Sequence, residues 1–351
     1  MPRSAWLVGI ALTMLLIPLA ASAQAKQIVV GPGDSIQAAV DAASPGDTIL
    51  VSGLHHENVA ITTNGLELRG LGAVLEPAAT PVQNACFDPS SPDDVNGICV
   101  IGNVDFNTGE VISPVKDVTV RGFTIRGFSD SGIITFGAQD ATYRDNVAED
   151  NDEYGITAFA STGTRMLFNT ATDAGESGFY IGDSPNADAS LIGNEASNNL
   201  FGVLIRNAEH GKITTNSVHD NCVGMVEFAD APGPAGFFRF DANSIRHNTK
   251  ACPASEDLEF PISGVGLAVF GGISNSINGN LIIGNVPSGE TAFSGGIVLN
   301  TGIGGTPPAD NKVRGNRVLQ NDPDIFWDET GSGNSFQGNR CDTSSPAGLC
   351  H

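Results

Sequence analysis

The sequence predicts an all-β protein, a right-handed parallel β-helix of about nine coils with an N-terminal capping helix. The first observation is an asparagine that returns at a fixed period with a second asparagine five places behind it. The pairs are Asn146/Asn151, Asn194/Asn199, Asn216/Asn221, Asn243/Asn248, Asn280/Asn285 and Asn316/Asn321, while Asn169 and Asn339 hold the first position alone. First-position spacings from Asn146 are 23, 25, 22, 27, 37, 36 and 23 residues, so the short period is the unit and the long ones are that unit plus a loop. The second observation is what lies between the asparagines: short pieces such as "GNLIIGN" and "SGGIVLN", alternating with period two and punctuated by Gly, Asn and Asp. No run there has the length or period of a helix. The third is an apolar, helix-bearing segment at the front, suited to covering the open end of a stack.

Taken in order, residues 1–25 carry Arg3, an apolar stretch from Ala5 to Ala20 and small residues at Ala21, Ala23 and Ala25, the pattern of a secretory signal. Export to the periplasm or the medium is the expected destination, with no further run long enough for a membrane span. The segment "IVVGPGDSIQAAVDAASPGDTILV" then predicts a strand at Gln27–Val30, a helix around Ser35–Ala43 with Asp34 or Ser35 as its N-cap, a turn at Pro45–Asp47 and a strand at Thr48–Val51. Residues 26–76 form the cap and first coil, 77–114 a Pro-, Asp- and Gly-rich insertion without clear strands, 115–340 the coils and 341–351 a tail. Two further insertions lie between Asn248 and Gly264 and between Asn285 and Gly295, and all three could rise from one side of the solenoid and wall a groove.

Six cysteines in an exported chain favour disulfides, and six allow fifteen pairings. Repeat position favours three local pairs: Cys86 with Cys99 across a loop, Cys222 with Cys252 in adjacent coils, and Cys341 with Cys350 around the polar C-terminus. The formal charge of −22 makes nucleic acid an unsuitable electrostatic partner.

Equal positions in successive coils form columns, and asparagines in one column can pass hydrogen bonds along the stack. Inward positions two residues after the first asparagine are Ala148, Ala171, Ala196, Val218, Ile245, Ile282 and Val318. Function must lie on outward columns. One, at the turn before the second asparagine, includes Asp150, Asp173 and Asp220, whose carboxylates at a coil spacing of about 5 Å could share a Ca²⁺ ion; turns favour Asp and Asn for their own reasons as well. Another column, at the end of the strand that follows, carries Phe136, Phe159, Arg206 and Phe228, with Tyr180 nearer the strand start and Asp183, Asn207 and Asp230 just beyond. Aromatic rings offer stacking faces to sugars, and an Arg among carboxylates can meet a uronate. Arg206, Asp183 and Asp230 are therefore the catalytic candidates, and Phe136, Phe159, Tyr180, Asn207 and Phe228 the substrate-binding ones. Glu227 breaks the pattern, because strand parity aims it inward.

The front segment closely resembles the N-terminal cap of the pectin-lyase-like superfamily, which spans polysaccharide lyases, pectin methylesterases, mannuronan epimerases and periplasmic nitrous-oxide-reductase maturation β-helices. With the coils after Val115, the resemblance covers nearly all of the chain beyond residue 25. It implies the fold more specifically than the activity. Mannuronan epimerases carry a Tyr-Gly-Phe-Asp-Pro-His strand; here "YGITAF" at Tyr154–Phe159 keeps Tyr154 and Gly155 but has Thr157 and Phe159 for the Asp and His. That removes the acid and base of epimerase chemistry. Two functions are therefore expected: binding and lyase-like cleavage of an extracellular acidic polysaccharide, or a non-catalytic cell-surface or periplasmic module for binding or metal-enzyme maturation.

Overall fold

The computed structural model describes residues 25–86, 93–105, 108–230, 234–255 and 258–350. The leader expected at 1–25 lies almost wholly outside them. Each coil contributes three short strands, one to each of three parallel stacks. In one coil these are Thr142–Arg144, Val147–Glu149 and Tyr154–Phe159, called here the first, second and third faces. Each strand pairs in parallel with the equivalent strand of the next coil, as Tyr143 with Met166, Ala148 with Ala171 and Ile156 with Phe179. Parallel strands joined by crossovers wind right-handed.

Side chains that point inward from all three faces fill the core, among them Tyr143, Met166 and Leu191, Ala148 and Ala171, and Ile156 and Phe179. The small alanines of the second face leave room for the larger residues opposite. At the front, the helix Ile36–Ala42 begins at Ser35, whose Oγ accepts from the Ala38 N–H at 3.1 Å. Glu57 accepts from the N–H groups of Ile36 at 2.7 Å and Gln37 at 3.0 Å, so the donors of the first turn are satisfied from the neighbouring coil. Ile36, Ala39 and Val40 join the core, and the helix closes the end of the stack.

The first asparagine column is a continuous hydrogen-bonded ladder, and the second is one from Asn199 onward, Ala174 separating it from Asn151. In the first, each Nδ2 donates to the next Oδ1, from Asn146 to Asn169 at 3.1 Å, Asn169 to Asn194 at 3.1 Å, Asn194 to Asn216 at 3.0 Å and Asn216 to Asn243 at 3.0 Å. It runs on through Asn280 and Asn316 to Asn339. The same Oδ1 accepts a backbone N–H of the preceding coil, and the second hydrogen of Nδ2 reaches a carbonyl, as Asn216 to Leu191 at 3.0 Å. The second ladder links Asn199, Asn221, Asn248, Asn285 and Asn321 and ends on Asp324. A third, shorter run at Asn275, Asn311 and Asn334 has no partner in the period read from the sequence.

The insertion at 77–114 contains more structure than its composition suggests. Ile98–Ile101 is a third-face strand, in register with Val59–Ile61 on one side and Ile133–Phe136 on the other. Asn103–Asp105 and Glu110–Ser113 form an antiparallel hairpin. Four consecutive apolar residues without polar alternation hid the strand from a period-two reading. The three disulfides join Cys86 to Cys99, Cys222 to Cys252 and Cys341 to Cys350, as expected, and no cysteine is free among the described residues.

Candidate functional site

The third face differs from the other two in carrying a second apolar layer on its outer side. Outward residues Tyr180, Leu204, Val226, Ala268 and Val298 occupy one column. They pack with Leu200, Val223, Val265 and, from the insertion after Asn248, Leu258 and Ile262. The Cys222–Cys252 disulfide ties that insertion to the coil beneath it. Phe260 and Phe293, one from each of the two later insertions, stand 6.1 Å apart, with Phe270 5.0 Å from Phe293. Between these walls lies a cleft of ≈ 340 Å³, with Leu204, Val226 and Phe228 among its apolar lining and Glu176, Arg206 and Asp230 among its charged groups.

The expected outward column is in register: Phe136, Phe159, Gly182, Arg206, Phe228 and Phe270 on successive coils. Phe136 and Phe159 stack at 6.2 Å, Phe159 and Tyr180 lie 4.6 Å apart, and Tyr154 and Tyr180 5.2 Å apart. Gly182 makes the last arrangement feasible, because a Cβ there would meet the Tyr180 ring at 2.2 Å. Tyr180 lies across that gap and is only 2% exposed, so it is floor for its neighbours rather than a free stacking face. Burial raises its hydroxyl pKa, the charge of Asp183 raises it further, and Arg206 works in the opposite direction.

Arg206 donates from Nε at 3.0 Å and from Nη2 at 2.6 Å to Oδ2 of Asp230. Asn207 donates to Oδ1 of Asp183 at 3.4 Å and to Oδ1 of Asp230, and accepts from the Asp230 N–H at 3.1 Å. The catalytic candidates are thus one hydrogen-bonded group at the strand ends. Partial burial opposes the Arg206 charge, but its bond to Asp230 and the charges of Asp230, Tyr180 and Asp183 hold its pKa above the ordinary value. Such a guanidinium binds anions or hydroxyls and does not act as a base.

The opposite edge of the same face carries an acid column that the sequence reading passed over. Asp130, Glu153 and Glu176 precede three successive strands, each two residues before the strand's glycine and 23 residues from the next. Backbone bonds stack them, Glu153 N–H to the Asp130 carbonyl at 3.1 Å and Glu176 N–H to the Glu153 carbonyl at 2.8 Å. Desolvation, a hydrogen bond to Asp130 and the charges of Asp130 and Glu176 push the Glu153 carboxyl up to about 8. The Tyr154 hydroxyl bonds to these acids, and burial together with the charge of Glu176 raises its pKa. Their period of 23 was legible in the sequence, but acids in the turn before a strand look like ordinary solvated residues until the fold stacks them.

Asp150, Asp173 and Asp220 project from the turn after the second face, each with a positive φ of 55°, 57° and 59°. Asn198 and His247 in the same column share that conformation. Asp and Asn tolerate it because their short polar side chains bond locally, which accounts for the column's composition without a ligand. Asp150 and Asp173 lie beside Arg126, which pairs with Glu76 at 2.8 Å and Glu149 at 3.2 Å, and Asp220 bonds to His219 at 2.7 Å. Among the described residues, no group of three or more His, Cys, Asp or Glu is placed to hold a metal ion.

Glu227 is buried inside the core, as its parity required. One oxygen accepts from Asn275 and the other, Oε1, has no hydrogen-bond partner. Burial pushes its carboxyl up to about 8, the Asn275 bond acts against this, and the charge of Glu209 adds to it.

Comparison with known proteins agrees with this architecture. Residues 94–232 match the family described as "Right handed beta helix region". The chain is a right-handed parallel β-helix. Among solved structures, it is similar to the A-module of the Azotobacter vinelandii mannuronan C-5 epimerase AlgE4, with 17% identity over 88% of each chain and a TM-score of 0.60. It is also similar to the catalytic unit of a GH87 α-1,3-glucanase from Streptomyces thermodiastaticus, with 16% identity over 95% of this chain and 68% of the other and a TM-score of 0.61. Pectate lyase Pel9A shares 14% identity over 91% of this chain and 79% of its own, with a TM-score of 0.52. No curated protein matches in sequence.

Proposed function

We propose that the protein is exported, binds a polysaccharide along the outer side of its third face, and acts on the bound chain. One observation carries the reading: the Phe136, Phe159 and Tyr154 rings, floored by Tyr180, run along one face into a walled cleft that holds a protonated Arg206. Ring faces stack on sugars, and hydrogen-bonding groups at the cleft edge fix the chain's orientation. Three disulfides suit an oxidising compartment. The enzymes of similar fold are, by their names, an epimerase, a glucanase and a lyase for polysaccharides, which supports the class of ligand and not a particular reaction.

If the reaction is an elimination, Arg206 neutralises the uronate carboxylate while another group takes the C5 proton, the C4–O glycosidic bond breaks as the C4=C5 double bond forms, and the leaving sugar oxygen takes a proton from water or a neighbouring acid. The test is retention on gels that contain pectate, alginate, glycosaminoglycan or neutral polysaccharides, with ultraviolet absorbance recording any unsaturated product. Retention by wild type that Arg206→Ala weakens about tenfold is expected, roughly the contribution of one charge-assisted hydrogen-bond pair. Absorbance rising equally in wild type and Arg206→Ala removes Arg206 from the chemistry. Retention without turnover on any substrate leaves a binding module, and no retention at all ends the polysaccharide reading.

A further inference from the structure

In the acid column at the opposite edge of the third face, Asp130 and Glu153 have no part in the function just described, and Glu176 only lines its cleft. Glu153 is surrounded by acid, with Asp130 and Glu176 on the coils to either side and the Tyr154 hydroxyl bonded to it. Stacked carboxyls at coil spacing repel unless a proton or a cation lies among them. Glu153 answers this by retaining a proton well above the usual carboxylate range. Across the face, Arg206 pairs with Asp230 at the far ends of the strands, away from the column.

A second observation lies beneath. Ser177, next to Glu176 in sequence and the register partner of Tyr154, is fully buried, and its Oγ has no hydrogen-bond partner. Thr157, the register partner of Tyr180, is equally buried and equally unpartnered. Their columns continue in Phe201 and Leu204 of the outer layer, so both hydroxyls belong to the outward side, under the tyrosines. Buried hydroxyls without partners are costly, and an arriving donor would satisfy them.

We propose that Asp130, Glu153 and Glu176, with the ring of Tyr154 and the hydroxyl of Ser177, form a subsite for a protonated amino group, so that the polysaccharide taken by this face bears free amines. This rests on the polysaccharide reading and not on elimination as the reaction. An ammonium group has three donors, which suits carboxylates and a hydroxyl, and a positive charge, which suits the face of a tyrosine ring. A metal ion is the weaker match, because the acids are not grouped as its ligands while an aromatic face stands among them.

The experiment compares a glucosamine hexamer with its fully N-acetylated counterpart by calorimetric titration at mildly acidic pH and low salt. The proteins are wild type, Glu153→Gln/Glu176→Gln, and a control, Glu195→Gln, which removes one charge from an exposed position away from the face, as the site variant does where Glu153 already holds its proton. Wild type and control are expected to favour the free amine about tenfold, and the site variant to fall within about twofold of parity. Melting curves confirm that each variant is folded. Equal affinity of wild type for the two hexamers overturns the amine subsite and leaves the polysaccharide reading standing. A preference that the control loses as fully as the site variant assigns it to overall negative charge and also overturns the subsite. Failure to bind either hexamer, when another polysaccharide is retained on gels, overturns the subsite alone; retention of none overturns both.

Discussion

Glu227 is the residue whose chemistry departs furthest from its surroundings. A carboxyl in the core with one oxygen unpartnered is stable there only while it holds a proton. Its folded-state pKa of about 8 lies above the unfolded value of 4.5, so its favourable contribution is complete below the ordinary glutamate range and is lost as pH rises toward 8. Glu227→Gln copies the protonated form without titrating. The variant should therefore melt close to wild type in acid and progressively above it as pH is raised through that window, which thermal scans at several pH values would show. A constant difference would place a fixed proton or another partner on Glu227. Parity had already aimed this residue inward, but its partner could not be read in advance, because Asn275 lies 48 residues away on a run of asparagines outside the main period. The acid column was hidden for another reason: its period of 23 is as regular as that of Asn146 and Asn169, yet acids before a strand look like ordinary solvated turn residues until burial and mutual contact are known.

Among the elements, the ladders bind coil to coil. Asn216 accepts from the backbone and side chain of Asn194 and donates to Leu191 and Asn243, so Asn216→Ala leaves several buried groups unsatisfied. A loss of about 1–3 kcal/mol in chemical denaturation is expected, with polysaccharide retention by the folded variant unchanged. A variant as stable as wild type would show that the ladder bonds have substitutes. The Asp150, Asp173 and Asp220 column rests on backbone shape. Calcium at a hundredfold excess over its dissociation constant would add about 2.7 kcal/mol if these acids bound it. Turn conformation leads us to expect no change in melting temperature on adding calcium, and a rise that Asp173→Asn abolishes would restore the ion to the column. These elements were legible because each depends on a residue type recurring at one place in the repeat. The Ile98–Ile101 strand was not, since it interrupts the period and its flanks are dominated by loop residues.

For the whole molecule, stability and site geometry meet at the Cys222–Cys252 bridge, which fastens the insertion after Asn248 to the outer layer. Replacing both cysteines by serine should cost about 2–4 kcal/mol, in keeping with a loop of this size. It should also weaken polysaccharide retention beyond what reduced folding explains, because Leu258, Phe260 and Ile262 line the cleft from that insertion. Retention measured below the onset of unfolding separates the two effects, and unchanged retention would show that this wall is not part of the binding surface. The three-faced stack, its cap and the outward column of candidate residues were readable from periodicity; which face the later insertions cover was not, because only folding brings two insertions separated in sequence over the same strands.

The asparagine ladder also bears on descent. Each rung presents the same acceptor to the coil before it and the same donor to the coil after it, whichever coils those are. Rungs are therefore interchangeable, and a whole 23-residue unit can be duplicated or lost with every hydrogen bond re-formed at the new junction. Lengthening by one unit would copy an outward column together with its support, giving the surplus copy freedom to change while the original keeps its task.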